Sequence, residues 1–442
     1  PMIHKLKKDI IRELIKSHKK YVNKIQSKLA QEPANAWTEI KKLSGLTTDP
    51  PTIKPSPIYP AEDLNKFFCR YEKTDPTKPK PNHTNPHTHL SDIPETDVLM
   101  QLRRLNPRKG PGPDGILPKM IKLCAYQLAP VLTGIFNCSI QQGEVPSIWK
   151  TAEIRPLPKV SKPKQLKDYR PIALTSCLCK SLERLIKSYI TTNTVSDALQ
   201  FAYKSHRSTQ DAVLQLASYV TKFIDARAGN HSRCLFLDFS SAFNTICVAK
   251  LVEKLTHLDP NVTSWISSFL TDRTQYTKFD SDCSRRMTTN TGTPQGTVLS
   301  PLLFSIYTDF ITSATSNVTV LKYADDTVII GNIQSDSDFM LYQEEVNRIC
   351  ILCNNSDLLL NPTKTHEMIF TTSRDPPVFP QVFIDNCAIE TTDDVLYLGV
   401  HIDSKLRFSK QATSVESKCR QRMYILKRFA FYGASEQLLC QL

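Results

Sequence analysis

The stretch Val318-Thr-Val-Leu-Lys-Tyr323-Ala324-Asp325-Asp326-Thr-Val-Ile-Ile-Gly331 sets two adjacent acidic residues between two short β-branched runs. Such runs are typical of strands, so the stretch predicts a hairpin with Asp325 and Asp326 at its tip. Neighbouring carboxylates repel each other, and a divalent cation would remove that repulsion. Asp is also common in turns because its side chain bonds the local backbone. The turn alone leaves a metal site and a structural turn equally open.

A third acidic residue, Asp238, follows the apolar run Cys234-Leu235-Phe236-Leu237. An Asp at the end of a strand is often the N-cap of a following helix. Beside Asp325 and Asp326, however, it would complete a group of three carboxylates from two strand ends. Such a group could hold two Mg²⁺ ions, which take oxygen ligands and share them with phosphate. Two such ions can activate a hydroxyl and stabilise a leaving pyrophosphate, so these residues are candidate metal ligands and catalytic groups.

The 442-residue chain is basic, with a net charge of +13 and a pI of about 9.1. Eleven Lys and Arg residues against four acidic residues fall within positions 1–48. This charge favours a polyanionic partner, with nucleic acid ahead of an anionic membrane surface. No apolar run approaches the roughly 18–20 residues that span a bilayer. We therefore expect a nucleic-acid partner and no membrane.

Thirteen cysteines, an odd number without a visible secretory signal, indicate reduced thiols inside the cell. Cys350 and Cys353 have zinc-like spacing, but they lie in an apolar helical stretch without a second pair, which favours core packing. A weaker candidate for a loose metal site is a group of histidines, His83, His87 and His89. Because the chain starts at Pro1 and stops within a predicted helix, we expect it to be a piece of a longer polypeptide.

The N-terminal part of the chain has two segments of different character. Apolar residues at helical spacing over residues 2–30 predict a helix with a basic face. Residues 49–94 carry ten of the 29 prolines, and this composition is typical of an extended linker or surface wrap. Within it, one helical turn is expected around three aromatic residues, Phe67, Phe68 and Tyr71.

Three motifs, in order, resemble the palm motifs of reverse transcriptases. They are Leu-Phe-Leu-Asp-Phe-Ser-Ser-Ala-Phe at 235–243, Thr-Gly-Thr-Pro-Gln-Gly-Thr-Val-Leu-Ser-Pro at 291–301, and Tyr-Ala-Asp-Asp at 323–326. Further segments resemble the non-LTR (LINE-type) retrotransposon branch of that family, namely Lys109–Gly115, Asp168–Ile172, Gln200–Tyr203 and Tyr397–Val400. The resemblance spans roughly residues 93–406.

The resemblance implies an α+β fold of the right-hand polymerase type, with fingers, an antiparallel palm sheet and a truncated thumb behind a helical basic N-terminal extension. The expected divisions are the basic extension at 1–48, a Pro-rich linker at 49–90, fingers with interleaved palm segments at 91–233, the palm at 234–406 and the start of the thumb at 407–442. A Lys- and Arg-rich helix over Glu416–Ala430 would open the thumb and could grip a duplex backbone.

The resemblance also implies roles around the carboxylates. Asp238 and Asp325 correspond to the metal-binding pair and Asp326 to an auxiliary carboxylate, with two Mg²⁺ ions, or Mn²⁺ in their place, as cofactor. Phe243 corresponds to the steric gate that excludes a ribose 2′-hydroxyl; its alternative is an ordinary core Phe. Lys364 corresponds to a lysine that protonates pyrophosphate; a lone Lys after a turn is otherwise a solvated charge.

Nucleotide binding is implied at two further places. Gln295 and Gly296 correspond to the loop that packs against the incoming nucleotide and the template, and glycine there allows close backbone approach. Arg170 and Lys159 correspond to the fingers cations that hold the triphosphate. Two nearby residues compete for that role, Arg155 and Lys162.

Other motif positions carry smaller expectations. Ser300-Pro301 is expected to form the N-cap and first position of a helix, and Tyr397-Leu398-Gly399 resembles the primer-grip hairpin. Thr308-Asp309 stands where the family usually has Asn-Asp, and His206-Arg207 replaces its usual Gly- and Arg-bearing variants. These departures bear on fine specificity more than on activity.

The implied function is RNA-directed DNA synthesis for a non-LTR retrotransposon, with an RNA template, a DNA primer or target, and dNTPs as partners. An endonuclease is expected elsewhere in the full-length polypeptide, and the protein is expected in the nucleus or cytoplasm as a ribonucleoprotein. One alternative is an RNA-directed RNA polymerase, against which Phe243 and Ala324 argue. The other is a catalytically silent, RNA-binding retrotransposon fragment, which the basic N-terminal helix would suit.

Overall fold

The computed structural model describes residues 2–31, 59–72, 90–227, 229–373 and 379–431, with Glu436 and Cys440. The chain divides into two compact units. One is Pro57–Leu406, and the other combines Pro1–Ser56 with Arg407–Leu442. All the site residues predicted from the sequence belong to the larger unit.

Helices and short strands alternate along the described part of the chain. The α-helices are α1 (Met2–Gln31), α2 (Ala61–Phe68), α3 (Glu95–Arg103), α4 (Pro118–Leu123), α5 (Ala125–Gln141), α6 (Cys177–Asn193), α7 (Thr209–Ile224), α8 (Val248–Glu253), α9 (Pro260–Leu270), α10 (Ser300–Tyr307), α11 (Asp336–Asn355) and α12 (Ser409–Phe431). Short 3₁₀ helices lie at Ser147–Lys150, Leu166–Asp168 and Ala242–Asn244.

The strands form two larger sheets and two small hairpins. They are β1 (Thr151–Pro158), β2 (Tyr169–Leu174), β3 (His231–Leu237), β4 (Arg273–Phe279), β5 (Asp282–Cys283), β6 (Met287–Thr289), β7 (Val318–Tyr323), β8 (Asp326–Ile333), β9 (His366–Thr371), β10 (Phe383–Ile384), β11 (Cys387–Ala388), β12 (Glu390–Thr391), β13 (Asp394–Tyr397) and β14 (Val400–Asp403).

The first sheet has the order β12-β9-β3-β8-β7 and is antiparallel except for the short β12–β9 pair. Its central strand, β3, is buried at every residue from Ser232 to Leu237. Burial of consecutive residues means that both faces of the sheet are covered at this strand, which is why its sequence does not alternate between apolar and polar residues. The sheet matches the antiparallel palm sheet expected from the sequence.

The hairpin predicted around Asp325 is confirmed. β7 and β8 pair from Val318 opposite Gly331 to Tyr323 opposite Asp326. This leaves Ala324 and Asp325 as a two-residue turn, with Asp326 as the first residue of β8. Short β-branched strands joined by two residues are a strong hairpin signal, which explains why the sequence alone was sufficient here.

The second sheet, with the order β2-β1-β4-β5 and β6 paired to β4, carries α2 on one face. Ala61, Leu64 and Phe68 of α2 are buried, and Leu64 and Phe68 pack with Ala152 and Tyr169 of the sheet. The prediction of a Pro-rich linker is therefore corrected over residues 59–72, which belong to this core. The prolines around α2 favoured a linker, although these three apolar residues have the three- to four-residue spacing of a helix face. Residues 49–58 and 73–89 lie outside the described residues.

The cysteine pair considered as a zinc site lies on α11. Cys350 and Cys353 are free thiols, both buried in the apolar core, which agrees with core packing. The three histidines at 83, 87 and 89 lie outside the described residues.

The smaller unit contributes two long helices. Where the apolar spacing predicts an N-terminal helix, the structure has α1, whose Ile10, Ile11 and Leu14 are largely exposed. The predicted basic helix near the end of the chain is α12, which is longer than expected and spans Ser409–Phe431. Among the described residues, no helix combines the length and the apolar character that a membrane span requires.

A buried ion pair joins the two strands on one side of the palm sheet. Arg233 of β3 donates from Nε and Nη2 to the two carboxylate oxygens of Glu367 on β9, at 2.8 and 2.6 Å, and both side chains are almost fully buried. Nη2 also donates to the carbonyl oxygen of Pro380. Such a pair costs desolvation, but the loss of one partner leaves a bare charge in the core.

Replacing Glu367 by Ala should therefore destabilise β3 and β9 by about 3–5 kcal/mol. The measurement is hydrogen exchange of peptides from the two strands, converted to opening free energies. The matched control, Lys66→Ala, breaks an exposed pair with Glu62 and should change the opening free energies by less than about 1 kcal/mol. An equal effect of the two substitutions would contradict the assignment.

Candidate active site

The register of β3 and β8 brings two carboxylates together. Leu237 lies opposite Thr327 on the antiparallel strand β8. Asp238 follows Leu237 and Asp326 precedes Thr327, so the two acidic residues lie at the same end of the sheet. Both line one cavity of about 370 Å³, which Lys364 and Tyr397 also line. The backbone of Asp238 is also fixed, since its carbonyl oxygen accepts a hydrogen bond from Asn361 N at 2.9 Å.

The turn that carries Asp325 is held in an uncommon conformation. Ala324 has φ of +57°, which is costly for a residue with a Cβ. Its N–H donates to Gln200 Oε1 at 3.2 Å, and the same oxygen accepts from Ala202 N at 3.0 Å. Gln200 is 2 % exposed. A buried side chain from a distant segment therefore fixes the turn.

A second support lies one residue before the turn motif. Lys322 of β7 is fully buried, and its Nζ lies 2.9 Å from Asp197 Oδ2. Its backbone donates to Leu199 O and accepts from Phe201 N, both at 2.9 Å. The segment 197–202 thus lies along the edge of β7. No role had been predicted for Lys322 or for Gln200, because both act through tertiary contacts.

The carboxylates of Asp238, Asp325 and Asp326 repel one another. Burial, then Asp325, then Asp238 raise the pKa of Asp326 to about 6. Burial also raises the pKa of Asp325, and the nearby Arg170 acts against that rise. Asp325 and Asp326 retain solvent-exposed surface, which places them in an open cleft surrounded by protein. Water in the cleft weakens the repulsion without removing it.

The three carboxylates offer the oxygen donors that Mg²⁺ prefers, and a divalent cation would relieve the repulsion that raises the pKa of Asp326. The carboxylates do not form a ready coordination site. Within the described ranges, no group of three or more His, Cys, Asp and Glu side chains is arranged to hold a metal ion. The donor chemistry fits a hard cation, and binding would require these carboxylates to turn toward it.

Lys364 lies beside this group. Its Nζ is 3.8 Å from Asp238 Oδ2, and its side chain is 69 % exposed. The turn before β9 sets its place, because Lys364 N donates to Asn361 O, and Asn361 also bonds Asp238. The structure thus brings Lys364 to the carboxylates, while its proton-donating role stays a prediction.

Phe243 lies in the 3₁₀ helix after Asp238 and is half-buried. Its ring stacks on Phe304 with centroids 4.5 Å apart, and its carbonyl oxygen accepts from Thr293 N at 2.8 Å. Gly292 packs so tightly that an added Cβ would lie 2.8 Å from the Phe243 carbonyl oxygen. The ring is therefore both packed against the core and held in a fixed position, as a steric gate would require.

Gln295 and Gly296 connect that segment to the fingers sheet. Gln295 O accepts from Ala173 N of β2 at 2.7 Å, and Gln295 Nε2 lies 3.4 Å from Asn244 Oδ1. Gly296 has φ of +118°, and a Cβ there would lie 2.8 Å from Ala173 O. Glycine is required by both the conformation and the close approach.

The predicted N-cap at Ser300 is wrong. α10 begins at Ser300 itself, with Leu299 as N-cap residue, and Ser300 Oγ donates instead to Pro294 O at 2.9 Å. The buried Glu183 of α6 bonds the backbone just before this helix, since its Oε2 accepts from Val298 N and Leu299 N. Ser300 N itself donates to Thr297 Oγ1 at 3.4 Å, so Glu183 and Thr297 hold the start of the helix without a cap from Ser300.

The two predicted fingers cations lie on the β1–β2 hairpin. Arg170 pairs across the strands with Leu157, and Lys159 N donates to Asp168 O. Burial, then Arg170, then Lys364 lower the pKa of Lys159, so these cations lie close together. The competing Arg155 instead forms an ion pair with Glu153 at 2.7 Å.

The predicted primer-grip segment forms a hairpin. Tyr397 pairs with Val400 across β13 and β14, and the turn residues Leu398 and Gly399 both have positive φ. Tyr397 is buried, packs against Phe236 with the two rings tilted and their centroids 5.4 Å apart, and lines the same cavity as Asp238.

An antiparallel sheet that presents carboxylates at its strand ends, beside a basic hairpin on a second sheet, is the fingers-and-palm arrangement of a polymerase. Residues 158–402 match the sequence model of the family described as "Reverse transcriptase (RNA-dependent DNA polymerase)". The match covers more than half of the chain, which therefore belongs to the reverse transcriptase family. The resemblance inferred from the motifs is confirmed.

The curated relatives are proteins of mobile elements. "Probable RNA-directed DNA polymerase from transposon BS" of Drosophila melanogaster is 26% identical over 76% of this chain and 39% of its own length. "RNA-directed DNA polymerase from mobile element jockey" is 26% identical in Drosophila melanogaster, over 76% of this chain and 38% of the relative. The jockey protein of Drosophila funebris is 28% identical, over 74% and 37%. The chain thus spans about two fifths of the length of these relatives.

Replacing Asp326 by Asn should raise the thermal midpoint of the metal-free protein more at about pH 7.5 than at about pH 5. The pKa of Asp326 is about 6 in the folded protein, against the usual 3.8. Between about pH 5 and pH 7.5, the Asp326 carboxylate therefore binds more protons in the folded state than in the unfolded state. The contribution of Asp326 to wild-type stability is therefore lost as the pH rises through that window, and the Asn variant lacks this contribution.

Mg²⁺ should raise the midpoint of the wild type and raise that of Asp326→Asn less, because a ligand of the folded state stabilises it. Asp63→Asn, at an exposed position of α2, is the control and should respond to Mg²⁺ like the wild type. In the pH experiment without Mg²⁺, an equal change of the thermal midpoint by Asp326→Asn at both pH values would refute the raised pKa of Asp326.

Proposed function

We propose that this chain is an RNA-directed DNA polymerase that adds dNTPs to the 3′-hydroxyl of a primer on an RNA template. The observation that carries the proposal is the meeting of Asp238 and Asp326 on one cavity wall, with Asp325 in the adjoining turn and the cations Arg170 and Lys159 close by. Anionic and cationic groups so arranged suit metal ions and a triphosphate respectively.

Asp238, Asp325 and Asp326 would hold two Mg²⁺ ions, with Mn²⁺ as a substitute. When bound, such ions activate the attacking hydroxyl and stabilise the leaving pyrophosphate. Arg170 and Lys159 hold the triphosphate by charge-assisted hydrogen bonds. In this scheme the exposed Lys364 donates a proton to the departing pyrophosphate.

Selection of deoxyribose is assigned to Phe243. Its ring stacks on Phe304, and its backbone carbonyl is held by Thr293 N and packed against Gly292, so the ring is held in place where it would meet a 2′-hydroxyl. This favours DNA synthesis over RNA synthesis from an RNA template.

The nucleic-acid partners are an RNA template and a DNA primer or target. α12 carries exposed Lys418, Arg420 and Arg422, which suit contact with a phosphate backbone, and we assign it to the opening of a thumb. The basic α1 would add a second phosphate contact. An endonuclease elsewhere in the full-length polypeptide, and a ribonucleoprotein in the nucleus or cytoplasm, complete the proposal.

Asp325→Ala should reduce primer extension on an RNA template by more than about 10²-fold, because electrostatic stabilisation of the transition state is typically the largest catalytic contribution. Asp385→Ala is a matched control, since Asp385, like Asp325, lies in a two-residue hairpin turn, and it should keep wild-type activity. Extension at the wild-type rate by Asp325→Ala would overturn the proposal. An inactive wild type that still binds RNA would instead favour the catalytically silent alternative.

Phe243→Val should admit rNTPs, lowering the preference for dNTPs by about 10- to 200-fold, which is the usual scale for a changed apolar contact. The measurement is kcat/KM for each nucleotide type. Phe279→Val, a partly buried Phe of the fingers sheet, is the control and should keep wild-type selectivity. Unchanged sugar selectivity in Phe243→Val would show that the gate lies elsewhere.

A further inference from the structure

We propose that Arg70 binds the triphosphate of the incoming nucleotide, as a fourth cation beside Lys159, Arg170 and Lys364. The inference rests on the proposed polymerase function and names a residue of that site outside all the motifs. Arg70 follows α2, in the stretch whose composition had predicted a linker.

The first observation is the contact between Arg70 and the palm. Its Nη2 donates to Ser241 Oγ at 2.9 Å. Ser241 lies three residues after Asp238 and two before Phe243, and it has φ of +56°. Arg70 therefore reaches the short segment between the first carboxylate and the gate, where the phosphates of a nucleotide bound to both would lie.

The second observation is that the guanidinium is held in place before any ligand binds. Its Cζ lies 3.8 Å from the ring centroid of Phe67 and 4.3 Å from that of Tyr71. Nη1 donates to Phe67 O at 2.7 Å, and Nη2 also contacts Tyr71 Oη at 3.2 Å. Three of its five N–H groups thus have partners among the described residues, and the remaining two suit phosphate oxygens.

The segment that carries Arg70 is itself anchored on both sides. Before it, Ala61 N donates to Asp282 Oδ2 at 2.7 Å. After it, the Glu72 carboxylate accepts from Asn290 N at 2.6 Å and Thr291 N at 3.3 Å. Arg70 therefore presents its charge from a rigid support.

The third observation is electrostatic. After burial, the positive charges of Arg170, Lys364 and Arg70 all lower the pKa of Lys159. Arg170, Lys364 and Arg70 are thus each close enough to Lys159 to repel its ammonium group, and such an arrangement costs free energy in the absence of an anion. A triphosphate supplies several negative charges at one point, and the two remaining N–H donors of Arg70, on Nε and Nη1, can bond its oxygens.

Steady-state primer extension separates this role from its alternatives. Arg70→Gln should raise KM for dNTPs by about 10- to 100-fold, the range for losing hydrogen bonds to a charged group, with kcat changed much less. Arg70→Lys keeps the charge and should recover part of the loss. Lys66→Gln, an exposed cation on the same helix, is the matched control and should leave KM unchanged.

Other outcomes would overturn the inference. A lower kcat and thermal midpoint with unchanged KM, not rescued by Arg70→Lys, would make Arg70 a structural link to Ser241. A loss of RNA affinity in the absence of nucleotide would assign it to the template backbone.

Failure of the polymerase proposal is distinguishable from failure of this inference. Inorganic tripolyphosphate with Mg²⁺ should raise the thermal midpoint of the wild type and Lys66→Gln, and raise that of Arg70→Gln less, whether or not the protein extends a primer. An equal rise in all three proteins would reject Arg70 as an anion-binding residue.

Discussion

The pairing of β3 with β8 is the interaction on which the site depends. Side chains alternate between the faces of a strand, so a one-residue slip would turn every residue of β3 to the opposite face. Such a slip would bury groups that now face the cleft and would separate Asp238 from Asp326. Burial of β3 on both faces and the Arg233–Glu367 pair oppose it. The same packing that stabilises the palm therefore also fixes the distance between carboxylates.

Two clusters of like charge lie near each other, since Arg170 acts on the pKa of Asp325. The carboxylates raise one another's pKa, and the cations around Lys159 lower its pKa. Each cluster is unfavourable by itself, and the nearness of Arg170 to Asp325 compensates only in part. In the proposed function, metal ions and a polyanion would recover the stability lost to this repulsion when they bind. Perturbed ionisation of this kind is typical of functional sites.

Local patterns were sufficient for the hairpin at Asp325, the apolar strand before Asp238 and the helix α1, because each is determined by residues close in sequence. Sequence patterns gave wrong predictions where a residue distant in sequence determines the local structure. Ser300 has the chemistry of an N-cap, but its hydroxyl bonds Pro294 O, and the distant Glu183 bonds the N–H groups just before the helix. The prolines around α2 indicated a linker, but Leu64 and Phe68 find a core on a sheet formed some 90 residues later. Gln200 lies in a segment that resembles the family, but neither its role nor that of Lys322 could be predicted, since their partners are set by tertiary contacts.

These long-range contacts show how the site is assembled. The turn at Ala324 depends on Gln200, the loop at Gly296 depends on Ala173, and Ser241 is bonded by Arg70. Each motif is thus held by a segment remote in sequence, and the most remote one precedes all the motifs. A cut between residues 72 and 90 would leave every palm motif in the chain and yet remove the support of α2 from the fingers sheet. The polymerase unit consequently begins before its first motif, and the residues around Arg70 belong to it physically.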